Sequence, residues 1–222
     1  MRYKNLELWI ALLIIGLITI GYVLTATTST IPAASGWIGH SLGIVGFILM
    51  FMTEILYSLR KRYQFARWGK LQNWLSFHII TGLVGPYMVL LHTSWKFNGL
   101  AGILMLLTII IVVSGFIGRY FYTSVPRSTE GTALEAEYIS KMIQDTEISM
   151  AEQNNLRTEI GEKGTGELQE RLRHLNRQLK QLDRSRRLLA IWHTFHVPIG
   201  IALFFIAFIH IIATLYFATL LH

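Results

Sequence analysis

The sequence predicts an all-α membrane protein: five transmembrane helices, four of them forming one bundle, with a polar helical hairpin between the fourth and the fifth. Three observations carry that expectation. The chain is 52% hydrophobic and only 15% charged, a balance foreign to ordinary soluble domains. The charge is segregated into a few short stretches. Five apolar runs, roughly Leu8–Ala26, Gly36–Leu59, Trp74–Leu91, Leu100–Tyr122 and Leu188–Leu220, each approach the roughly 20 residues that a helix needs to cross the hydrocarbon core.

The first run follows Arg2 and Lys4 and has some likeness to a signal peptide. It is longer than the usual h-region of about 7–15 residues, so residues 1–35 are expected to form a retained N-terminal anchor. The alternative is cleavage near the small residues before Ile31. The next three runs and the last, residues 36–127 and 188–222, form the expected four-helix bundle in contact with membrane lipid. Orientation comes from the basic loops. Arg2 and Lys4 precede helix 1; Arg60, Lys61, Arg62, Arg67 and Lys70 follow helix 2; Arg119 and Arg127 follow helix 4. The opposite linkers, Thr27–Ser35 and His92–Gly99, carry only Lys96. A multi-pass protein of the cell (inner) membrane is expected, with a cytoplasmic N-terminus and His222 external. The net charge of +7 is explained by these loops, and no nucleic-acid module is present.

Residues 128–187 break the membrane pattern. Glu130–Ile160 holds seven acidic residues against Lys141 and Arg157, and Glu167–Arg187 holds seven basic against three acidic. Leu168, Leu172, Leu175, Leu179 and Leu182 alternate steps of four and three, the seam of a coiled coil. The glycines of Gly161–Gly166 oppose helix and predict a turn there. The expectation is a cytoplasmic antiparallel hairpin with oppositely charged arms, which either closes on itself or docks a partner.

Ligand-capable groups inside a span are costly, so each raises the question of function. His78 and His92 lie on helix 3, His196 and His210 on helix 5, and both pairs are 14 residues apart. Fourteen helical steps return to within about 40° of the starting face and climb about 21 Å. Helices 3 and 5 run in the same direction, so first pairs with first: His78 with His196 near the cytoplasm, His92 with His210 near the outside. There is no cysteine, which excludes iron–sulfur clusters held by thiolates and thioether-attached haem, and leaves histidine as the main metal ligand. Two imidazoles facing each other across a bundle suit the axial positions of a haem iron. A lone histidine in a span more often bonds a neighbouring backbone; two equal and correctly paired spacings argue against that for all four. Two haems, each held between two histidines, are therefore expected.

On these residues the chain resembles the di-haem transmembrane cytochrome b superfamily, which includes the quinol-oxidising cytochrome b, cytochrome b561 and ferric-reductase-like proteins. The resemblance covers helices 2 to 5 and implies two non-covalent haem b groups, each bis-histidine, and electron transfer across the membrane. The 14-residue spacing is closest to the quinol-oxidising pattern. The glycines of helices 2 and 4 do not repeat at that family's interval, and its later helices and quinol-site loop have no counterpart. Ferric reductases and NADPH oxidases carry flavin and nicotinamide domains for which this chain has no room.

Further residues have two readings each. Gly82 and Gly115 either make room for a flat porphyrin or let helices pack closely, and the second reading suits Gly36, Gly39, Gly43 and Gly46. Lys96 and Arg119, with Arg67 and Lys70, could meet haem propionates. Glu54, inside helix 2, either exchanges protons with a quinone or pairs with Arg60 or Arg119. His193 lies about 100° off the ligand face, a poor ligand but a possible quinone or proton contact. His40 reads as interfacial, as do Trp37, Trp68, Trp74, Trp95 and Trp192. Pro86 and Pro198 should bend helices 3 and 5. No nucleophile–base pairing is present and no catalytic residue is expected.

The expected function is electron transfer across the membrane as a subunit of a redox complex, between quinone or quinol and partner proteins that dock on the hairpin. Such a chain is an electron-transfer subunit rather than a self-contained enzyme. The alternatives are a membrane anchor or assembly subunit with structural haem, and a stand-alone quinone-dependent reductase.

Overall fold

The computed structural model describes residues 5–28, 31–62, 71–123, 136–155 and 160–220. Arg2, Lys4, Arg67, Trp68, Lys70 and Arg127 lie outside them. Among the described residues, six α-helices follow in order: α1 (Leu6–Thr28), α2 (Trp37–Arg62), α3 (Leu71–His92), α4 (Gly99–Thr123), α5 (Ala136–Asn155) and α6 (Ile160–Leu220). Five are long and apolar enough to cross a membrane: α1, α2, α3, α4 and the part of α6 within Gly166–Phe217. Of these, α1 has 23 residues, about 34 Å at 1.5 Å per residue, against about 30 Å of hydrocarbon. The outward side chains are those that lipid accepts: Leu12, Leu13 and Leu17 of α1 and Ile201, Phe205 and Ile212 of α6 are all exposed.

The chain divides into two compact units, residues 1–115 with 196–222, and residues 116–195. In the first, α2 packs closely against α3, and α1 flanks α3. The α2–α3 crossing rests on two glycines, each facing the other's backbone. A Cβ on Gly46 would stand 2.8 Å from the Gly85 carbonyl oxygen, and one on Gly85 would stand 2.9 Å from the Gly46 carbonyl oxygen. Lipid tails are as apolar as leucine, so such close small-residue contact is what holds membrane helices together. Below the crossing, the buried hydroxyls of Thr53 and Thr81 bond each other at 2.6 Å. A further hydroxyl pair, Thr19 with Tyr87 at 2.6 Å, ties α1 to α3. The C-terminal part of α6 reaches α2 through four phenylalanines, Phe47 and Phe51 against Phe204 and Phe208, with ring centroids 5.5–6.1 Å apart and mostly edge-on. Edge-to-face geometry adds about 0.5–1.5 kcal/mol per pair beyond burial.

In the second unit, α5 and the first half of α6 share a core of Ile139, Leu175 and Leu182, lined by Ala136, Met142, Ile143 and Leu179. The leucine stripe of α6 thus turns toward α5. The predicted turn over Gly161–Gly166 is corrected: α6 is helical from Ile160 onward. Glycine disfavours helix by only about 1 kcal/mol per residue, and the leucine stripe that follows packs against α5 and anchors the helix. The bundle's last span is likewise no separate helix. It is the end of the 61-residue α6. The Trp192 indole ring covers Gly118 of α4, where a Cβ would collide with it.

Candidate functional site

All four histidines of the ligand stripes fall in the first unit. Those on α3 are held from α2. The His92 Nδ1–H donates to the Gly39 carbonyl oxygen at 2.8 Å, and the His78 Nδ1–H to the Thr53 carbonyl oxygen at 3.2 Å. On α6, His196 Nδ1 stands 2.6 Å from the Ser114 hydroxyl of α4. Engaging Nδ1 has a chemical consequence: a neutral imidazole with its proton on Nδ1 keeps the Nε2 lone pair for a metal. Oxygen acceptors on the distal nitrogen are the usual second shell of a metal-bound histidine. On that observation, the donor set fits bis-imidazole ligation.

Glycines on α2 decide how close His92 can come. A Cβ on Gly43 would lie 2.9 Å from Cγ and Nδ1 of the His92 ring, so only glycine admits the ring there. Gly39, the acceptor, is itself pressed against the Ala33 backbone. Just beyond His92 the chain turns through two left-handed non-glycine residues, Ser94 (φ 49°) and Trp95 (φ 63°). The Ser94 hydroxyl donates to the Pro32 carbonyl oxygen at 2.6 Å. The linker before α2 and the loop after α3 are thereby tied together at the end where His92 sits. His40, read as interfacial, has its ring centroid 6.3 Å from that of His92.

The remaining predicted residues are dispersed. Gly82 faces α2, with Thr53 Cγ2 at 3.5 Å from its Cβ position, whereas the Cβ position of Gly115 has no described atom within 4 Å. Glu54 follows Thr53 on α2 and points its Oε2 to 3.8 Å from the Cβ position of Gly200, one turn beyond His196. Lys96 is exposed in the α3–α4 connection. Arg119 and His193 belong to the second unit.

Sequence reasoning missed Gly39, Gly43, Thr53, Ser114 and Gly200 as site residues. For Gly200 a signal existed: His78-Ile-Ile-Thr-Gly82 and His196-Val-Pro-Ile-Gly200 repeat one pattern, a histidine with glycine one turn later. Ser114 had none, because it lies 82 residues from its partner.

A bundle of membrane helices presenting imidazoles whose Nδ1 atoms engage oxygens is the build of a membrane haem protein. The family model of prokaryotic cytochrome b561 matches residues 8–221, and the chain belongs to that family. It is therefore a multi-pass membrane protein of b-type haem electron transfer. No curated protein and no solved structure matches the chain.

Proposed function

We propose that this cytochrome conducts electrons between the two faces of the membrane through two b-type haems, one held by His78 and His196 and the other by His92 and His210. The observation that carries the reading is the common state of three imidazoles: His78, His92 and His196 each engage Nδ1 with an oxygen, the usual second shell of a metal-bound histidine. When bound, b-type haem supplies reversible one-electron exchange between ferric and ferrous iron. The protein's part is to hold the ligands. Its α3 and α6 each set two imidazoles 14 residues apart, about 21 Å along the helix, and the rings of His78, His92 and His196 are braced from a neighbouring helix.

The basic loops support placing the N-terminus and the α5–α6 hairpin in the cytoplasm, with the His92 and His210 level external. Lys96, four residues past His92, is the proposed propionate partner at that level. The exposed charges of the hairpin, among them Arg171, Arg177 and Lys180, support docking of a partner protein in a redox complex. Glu54, beside Gly200, supports proton exchange with a quinone near the inner level. Haem content and optical spectra of the purified protein test the reading. Two haems per chain are expected, and His92→Ala or His210→Ala should each remove one of them and spare the other. One haem in the wild type, or loss of neither, contradicts it.

A further inference from the structure

The two helices of the second unit each carry a charged face turned away from their shared core. On α6, Arg173, Arg177, Lys180, Arg184 and Arg187 follow steps of four, three, four and three. At about 100° per residue they all lie within about 40° of the direction opposite Leu182, the residue buried against α5. Every one of them is exposed. Glu170 and Asp183 flank the row at about 60° and 80° from its centre and leave it basic. On α5, Glu137, Asp145 and Glu152 lie within about 60° of the direction opposite the buried Ile139, with Lys141 among them, and these too are exposed. The basic row is about 21 Å long and the acidic one about 22 Å.

Lipid does not account for the basic row. Beyond Arg187 the same helix continues into the mostly apolar residues 188–195, so the row leads away from the membrane. A headgroup layer of about 5–8 Å per leaflet reaches only its last turn. An acidic helix face of equal length matches the whole of it, and α5 of another copy is such a face. We propose that the basic face of α6 docks on the acidic face of α5 in a second copy of this chain. The proposal rests on the docking reading above and deepens it by naming the occupant. The two faces lie on opposite sides of the hairpin, so each copy meets its neighbours through a heterologous contact. Single exposed ion pairs contribute little, whereas several in a row act together, and salt screens them.

The test is co-capture between two differently tagged full-length copies, expressed in one membrane and solubilised in mild detergent at low salt. Wild type should capture wild type, and less of it at high salt. The double variant Arg177→Glu, Arg184→Glu should capture its own kind at least about tenfold less, because like charges then face each other. The double variant Asp145→Arg, Glu152→Arg should fail in the same way. Expressed together, the two variants present complementary faces again and capture should return, which a misfolded hairpin would not allow. A wild type that does not capture itself, reversed variants that still do, or a mixed pair no better than its members overturns the proposal. If wild type does not capture itself, carbodiimide coupling of Lys180 to carboxylates in native membranes separates the two readings. A cross-link to a different acidic protein then overturns the second copy and keeps docking, and a cross-link to no other chain overturns both.

Discussion

Gly43 has no side chain, yet it governs an imidazole. A methyl group there would stand 2.9 Å from the His92 ring, closer than carbon atoms tolerate, and overpacking of that kind costs about 1–3 kcal/mol. Gly43→Ala is therefore expected to displace His92 and lower the haem content toward one per chain. Gly16→Ala, where no described atom lies within 4 Å, should leave the spectrum unchanged; haem assays on both variants check this. The four histidines were legible because helical periodicity turns a 14-residue spacing into one face. Their braces were not. Thr53 and Gly39 act through backbone carbonyls, which carry no residue signature, and Ser114 acts across two helices far apart in sequence. Gly43 was read as a packing residue, and it is one; what it packs against is a proposed ligand.

At the scale of elements, α2 serves α3. The contact between Gly46 and Gly85 sets the approach of two helices, and α2 then supplies both carbonyls that hold the α3 histidines. Gly46→Val should separate the pair, loosen both rings at once and reduce haem at both levels, unlike the single loss expected from Gly43→Ala. Spectra retaining two haems in Gly46→Val would separate the brace from the packing. In the second unit, Leu182 is fully buried in the core shared by α5 and α6. Leu182→Ala is expected to cost about 2–5 kcal/mol there, seen as faster proteolysis within residues 136–187. The leucine stripe was readable from its 4–3 spacing. The glycines of Gly161–Gly166 misled because local propensity is a weak prior that neighbouring packing overrides.

For the whole molecule, apolar runs and segregated charge were enough to give five spans, because a membrane demands long stretches without charge. The long α6 was less visible: a polar arm and an apolar span differ in composition but can share one helix. If Glu54 serves quinone chemistry, Glu54→Gln should slow reduction of the haems by quinol severalfold while leaving haem content unchanged, as stopped-flow spectra would record. Passage of electrons from one membrane face to the other is tested most directly in sealed vesicles bearing the purified protein, with an impermeant oxidant inside and an impermeant reductant outside. The wild type should carry electrons inward, and His92→Ala and His196→Ala, each keeping one haem, should carry almost none. Undiminished transfer in either variant would contradict a conduit built on two histidine pairs.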